Sequence, residues 1–174
     1  EKRYGDRVIL GGVTTGIDRG QKVGLIGQNG TGKSTLLKAI AGLEPVDRGT
    51  VAIRQGVRVF FLEQEPLFAL GTTPRQALMR VLEPARAAVA AYEKAAASGD
   101  SRIDELLHRV EQLGGWDCDH RLERAATAAG VRDLDRVVDG MSGGEKKRIA
   151  LAQLALSGAD LWLLDEPTNH LDAE

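Results

Sequence analysis

Short apolar runs parted by glycines open the chain, and longer helical stretches follow. Val8-Ile9-Leu10 and Val13 to Ile17 read as short strands around Gly11-Gly12, a turn signal. Lys22-Val23-Gly24-Leu25-Ile26 reads as a buried strand entering a glycine loop. Lys33 to Ala41 reads as a helix stopped by Gly42 in the C′ role. Thr50 to Ile53 and Val57 to Leu62 are strand-like, the second a continuous apolar run.

The texture changes after Gly71. Thr73 can cap a helix with Pro74 at its first position. Ala85 to Ala97 is alanine-rich and helical, ending at Ser98-Gly99, and Ser101 starts another helix. Ile103, Leu106, Leu107, Val110 and Leu113 follow the 3, 4, 7 spacing of one apolar face, which Gly114-Gly115 ends. The two helices make an antiparallel hairpin, each roughly 20 Å long. Asp117 to Ala129 reads as a further helix, Ser142 caps one running to about Ser157, and Leu161 to Leu164 is a short buried strand. The expected organisation is a core over 1–72, a helical part over 73–140 with its hairpin at about 83–113, and a capped helix plus strand over 141–174.

Composition changes this picture in three places. Glycine makes up 21 of 174 residues, about 12% against a usual ~7%, and its clustering points to functional loops. The net charge of −2 gives no global pull toward nucleic acid or membrane surfaces. Cys118 is the only cysteine, which excludes an internal disulfide or a multi-cysteine metal site and fits a reducing, cytoplasmic setting. No apolar run approaches a membrane span, and no signal peptide opens the chain. A start at Glu1 without methionine and a stop just after a motif read as a piece of something longer.

The decisive stretch is Gly27-Gln28-Asn29-Gly30-Thr31-Gly32-Lys33-Ser34-Thr35, G-x-x-x-x-G-K-[ST] between a predicted strand and a predicted helix. Glycines let the backbone curl until its N–H groups face phosphate oxygens, and the helix presents its positive end. Lys33 reaches the β- and γ-phosphates, and the Ser34 hydroxyl can ligate magnesium. Leu161 to Glu166 is an apolar strand ending in two carboxylates. Beside a phosphate loop, Asp165 holds magnesium directly or through water, and Glu166 polarises an attacking water as general base. In Met141-Ser142-Gly143-Gly144-Glu145, Ser142 and Glu145 form a capping box, which by itself means only a well-capped helix. Its N–H groups and serine hydroxyl also suit a γ-phosphate. Two such helix starts do not easily reach one nucleotide, whereas a head-to-tail pair of domains lets each complete the other's site.

These residues resemble the ABC ATPase superfamily across nearly the whole chain, which implies an α/β P-loop fold with a helical subdomain and, here, a hairpin insertion. Gly27 to Thr35 looks like its Walker A motif, and Met141 to Glu145 like its signature with Met in place of Leu. Asp165 and Glu166 look like the Walker B pair, and Asp172 like the D-loop aspartate. Gln64 looks like the Q-loop glutamine that reaches magnesium and the attacking water. Tyr4 lies where the family places an aromatic that stacks on adenine. The implied cofactors are ATP and Mg2+. Glu166 to Asp172 is similar to the hallmark of the ABC-F branch, whose members carry two cassettes in one chain and act on ribosomes. Its first cassette carries an arm that contacts the ribosome where this chain has its hairpin, and Gly114 to Asp117 resembles the Uup-like members. The switch histidine of the family belongs to a strand after the last residue here. His170 is part of the Asn-His-Leu-Asp run, and His108 and His120 read as helix residues.

Three functions compete. One is an ATP-driven switch on ribosomes, with a second cassette as partner. An ATP-binding subunit of a membrane transporter shares the nucleotide chemistry and would dock a membrane partner, and the Asn-His-Leu-Asp run and the insertion weigh against it. A DNA-repair or chromosome-organising ATPase splits its motif halves across a long coiled coil, unlike this chain. The hairpin is not basic. Arg86, Lys94, Arg102 and Arg109 face six acidic residues between Glu83 and Leu113, so ribosomal RNA contact follows from the resemblance and not from charge.

Overall fold

The computed structural model describes residues 1–167, which sort into two units. The first combines Glu1–Gln64 with Ala159–Pro167, and the second holds Glu65–Gly158.

In the first unit, β1 (Lys2–Tyr4) and β2 (Arg7–Leu10) form an antiparallel ribbon. Helix α1 (Lys33–Ile40) starts straight from the glycine loop and ends at Ala41, where Gly42 at φ +74° turns the chain away. Strand β3 (Val59–Leu62) runs parallel to β4 (Leu161–Leu164), pairing Val59 with Leu161 and Leu62 with Leu164. The Asp160 carboxylate accepts from the Arg58 backbone N–H at 3.0 Å and sets the register at one end. Three expected strands are not formed: Val13 to Ile17, Lys22 to Ile26 and Thr50 to Ile53 carry no ladder. A strand propensity describes fit to a pleated, half-buried surface and gives no strand without a partner. Gly16 and Gly24 weaken two of these runs from within. Val23 and Ile26 accordingly stand 64% and 96% exposed.

The second unit is helical. Helix α2 (Pro74–Ser98) opens on a full capping box, in which Thr73 accepts from the Gln76 N–H and Gln76 from the Thr73 N–H. It runs as one helix of 25 residues, about 37 Å, and so extends well beyond the expected 20 Å arm. Pro84 lies inside it and removes a ladder bond. Burial of Leu82 and Ala85 on either side carries the helix through. Helix α3 (Ile103–Leu113) folds back along α2, with Val110 fully buried. Ser101 does not cap it. The Asp100 carboxylate, a stronger acceptor than a hydroxyl, instead takes the Arg102 N–H at 2.9 Å and its guanidinium at 2.7 Å.

A 3-10 turn (Gly115–Asp117) leads into α4 (Cys118–Ala128), and a second (Val138–Gly140) precedes α5 (Gly143–Ser157). Leu78, Leu82, Leu122, Val138 and Ile149 form the centre of the core. Each contributes about 1.5–3 kcal/mol relative to exposure. Ile149, Ala152 and Leu156 place α5 in this helical unit, apart from the division at 140/141 that the sequence suggested.

The hairpin is tied to this core at Gly114-Gly115. Gly114 takes φ +62°, and the Arg121 guanidinium donates to the carbonyls of Leu113 and Gly114 at 2.6 and 3.0 Å, capping α3. A Cβ on Gly115 would stand 2.7 Å from Val89 Cγ2 and 3.0 Å from the Ala85 carbonyl. Trp116 meets Tyr92 edge to face at 5.5 Å.

Gly115→Val is expected to destabilise the protein by about 1–3 kcal/mol through overpacking, read from urea unfolding. The Arg102 guanidinium and backbone N–H beside Asp100 lower its pKa from 3.8 to about 2. A depressed carboxyl adds stability above its unfolded pKa and loses it as pH falls toward the folded value. Asp100→Asn should therefore flatten the fall of stability between about pH 4 and pH 2 in acid titrations of unfolding.

Candidate active site

The glycine loop is shaped by its own dihedrals, a hydroxyl hydrogen bond and packing from β2. Gly30 and Gly32 sit at φ +78° and +93°, a region that side chains disfavour. The Thr31 hydroxyl donates to the Gln28 carbonyl at 2.8 Å, and the Gly32 carbonyl accepts the first turn of α1 from the Leu36 N–H. A Cβ on Gly32 would lie 2.7 Å from Ile9 Cγ2, so β2 packs directly against the loop. The Lys33 ammonium donates to the Gly27 and Gln28 carbonyls at 2.8 and 2.9 Å. These are neutral acceptors, which phosphate oxygens would outcompete. The loop fits a polyphosphate on this ground: curled glycines, a helix start and a lysine on weak acceptors. Ser34 and Thr35 occupy the first turn of α1.

The β3–β4 ladder brings the second set of residues together. It carries Gln64, just past β3, to Glu166, just past β4, and Gln64 Nε2 donates to Glu166 Oε2 at 3.0 Å. Asp165 between them is buried, and its N–H donates to the Leu62 carbonyl. Glu166 has φ +45°, the only described residue other than glycine in the left-handed region. That backbone costs about 1–2 kcal/mol, and strain of this kind gathers at functional sites. Among the described residues no group of three or more His, Cys, Asp or Glu could hold a metal. Magnesium is ordinarily held by one or two protein oxygens plus phosphates, a donor set that Ser34, Asp165 and Gln64 can supply.

In the helical unit, α5 starts on a complete capping box. The Ser142 N–H donates to Glu145 at 2.8 Å, and the Glu145 N–H to the Ser142 hydroxyl at 3.2 Å. The Ser142 N–H and hydroxyl hold the Glu145 carboxyl below its ordinary range. Gly143 and Gly144 form the first turn, and a Cβ on Gly143 would meet open space. The sequence reading missed Arg136. Its guanidinium reaches Glu145 at 3.3 Å and the Gly140 carbonyl at 2.8 Å, bracing the turn before the signature. Spacing held no signal for it, because the chain between them is irregular. Tyr4 ends β1 with its ring half exposed. Asp172 and His170 lie outside the described residues.

Glycine loop, parallel strand pair with terminal carboxylates, and capped signature helix together define a nucleotide-binding ATPase domain. A family model for the ABC transporter ATP-binding domain matches residues 10–169, and the chain belongs to that family. It is 38% identical over 181 residues to the energy-dependent translational throttle protein EttA of Mycobacterium tuberculosis, covering 99% of this chain and 32% of that protein. It is 37% identical over 182 residues to the uncharacterized ABC transporter ATP-binding protein YfmR of Bacillus subtilis, covering 99% and 29%. With the tylosin resistance ATP-binding protein TlrC of Streptomyces fradiae it shares 39% over 189 residues, covering 98% and 34%. The chain spans about a third of the length of the curated relatives it matches.

Gly32→Ala meets both a positive φ and the Ile9 methyl, whereas Gly30→Ala meets only the positive φ. The first should cost roughly 2–4 kcal/mol and the second about 1–2. Thermal unfolding of the two variants side by side checks the order.

Proposed function

We propose that this chain is the ATP-binding and ATP-hydrolysing cassette of a cytoplasmic ABC-F protein that acts on ribosomes. The single observation that carries the catalytic part is the Gln64–Glu166 contact at the shared end of β3 and β4. It sets a carboxylate and an amide side by side at the end of the strand pair. In this reading Gly27 to Thr35 cradle the phosphates, and Lys33 moves from its two carbonyls to the β- and γ-phosphate oxygens. Ser34, Asp165 and Gln64 would hold magnesium, which when bound neutralises phosphate charge. Glu166 accepts the proton of the attacking water, and Gln64 orients the carboxylate. Tyr4 stacks on the adenine. Ser142 to Glu145 serves the nucleotide of a second cassette, arranged head to tail. One cassette alone then holds half of each composite site.

The similarity to EttA, an energy-dependent translational throttle protein, supports translation as the process acted on. No helix among the described residues is long and apolar enough to cross a membrane. Closure of two cassettes on ATP would shift a two-state equilibrium, and hydrolysis would reset it.

Glu166→Gln in the complete protein should keep ATP binding and lose hydrolysis by a factor of about 10² or more. The variant should then accumulate on ribosomes with ATP and not without it, read by co-sedimentation. A variant that binds ATP yet stays off ribosomes would sink the ribosome reading and turn attention to a membrane partner.

A further inference from the structure

We propose that Lys2 and Glu44 are positioning residues for the nucleotide base, holding the Tyr4 ring so that one face stays open for adenine. The inference rests on the adenine reading of Tyr4 and adds two residues that no motif marks.

Lys2 is a lysine that the fold buries: its side chain is 8% exposed. Its ammonium is satisfied by Glu44 Oε1 at 2.6 Å and by the Pro45 carbonyl at 2.9 Å. The same ammonium stands 5.3 Å from the centroid of the Tyr4 ring. Residues two apart on a strand share a face, so Lys2 and Tyr4 meet on one side of β1. Tyr4 is nevertheless 52% exposed. A cation on one face of a ring is attracted by its quadrupole, and the opposite face remains available for stacking.

The anchoring reaches both ends of α1. Beyond its C-terminal end, Glu44 grips Lys2, Asp47 accepts the Arg3 N–H at 2.6 Å, and the Asp47 N–H donates to the Glu1 carbonyl at 2.9 Å. At the other end, Leu10, the register partner of Lys2, and Ile9 crowd the position of Gly32. The short ribbon is thereby clamped between the phosphate loop and the segment after α1. An aromatic on a three-residue strand gains its fixed direction from these clamps. The Lys2 ammonium first, and the Tyr4 hydroxyl after it, hold the Glu44 carboxyl below its ordinary range, in agreement with the contact.

The test compares ATP with inorganic tripolyphosphate, which has the phosphates and no base. Equilibrium binding of both would be measured on the complete protein and on Tyr4→Ala, Glu44→Gln, Lys2→Met and the Tyr4→Ala/Glu44→Gln double variant. Glu44→Gln and Lys2→Met should weaken ATP about threefold to tenfold and leave tripolyphosphate unchanged. The double variant should bind ATP no more weakly than Tyr4→Ala. Unchanged tripolyphosphate binding also shows that the phosphate loop is folded. If Glu44→Gln and Lys2→Met weaken both probes alike, or if the double variant adds the two losses, the pair is structural only and the inference falls. If Tyr4→Ala weakens ATP while Glu44→Gln and Lys2→Met do nothing, the inference falls and the adenine reading stands. If Tyr4→Ala leaves the ratio of the two affinities unchanged, the adenine reading fails and takes the inference with it.

Discussion

The parallel ladder between β3 and β4 joins segments that lie 102 residues apart at the Arg58–Asp160 and Gln64–Glu166 contacts. Parallel strands require a crossover, and here the crossover is an entire helical unit. The ladder therefore does two things at once. It places Asp165 and Glu166 beside the residue that follows β3, and it fixes both ends of the helical insertion. Every chemical role assigned to Gln64, Asp165 and Glu166 depends on this one register. A slip of one residue would turn every side chain of β4 to the opposite face and separate Gln64 from Glu166.

The phosphate loop obeys a different constraint, close approach. Gly32 is glycine for two independent reasons, its φ of +93° and the Ile9 methyl where a side chain would stand. The loop is thus shaped by packing from β2 as well as by its own dihedrals. Lys33, resting on two carbonyls, keeps the loop closed on itself with acceptors that yield to a stronger anion. Preorganisation of this sort lowers the ordering cost of binding.

The parts of the fold that were legible share a local cause. Ser142 with Glu145 is a capping box written in four consecutive residues and forms as read, and Thr73 caps α2 as expected, with Gln76 closing a box there that the sequence reading did not name. Gly114, Gly99 and Gly42 end helices or turn the chain where their spacing placed them. What escaped the sequence is non-local. Three apolar runs in the first unit look like strands and pair with nothing, because a strand needs a neighbour that periodicity does not name. The sequence names a helix start at Thr73-Pro74 and a helix from Ala85, and the single α2 that joins them past Pro84 is carried by the buried Leu82 and Ala85, which tertiary packing sets. In the site, the motif residues stood out by type and spacing. Arg136, Lys2 and Glu44 did not, since the Arg136–Glu145 and Lys2–Glu44 contacts are set by tertiary folding that spacing does not encode.

Within the helical unit, α2 packs against every other α-helix. Its first half packs on α5, where Gln153 donates to the Ala77 carbonyl at 3.1 Å, and its second half packs on α3. One helix thus touches both the helix that begins at the signature and the returning helix of the hairpin. The junction at Gly115 and Arg121 closes the triangle, so the hairpin cannot swing independently without opening a contact in which a Cβ has no room. The hairpin carries more acidic than basic residues, and a hairpin of that charge gains little from counterion release on RNA.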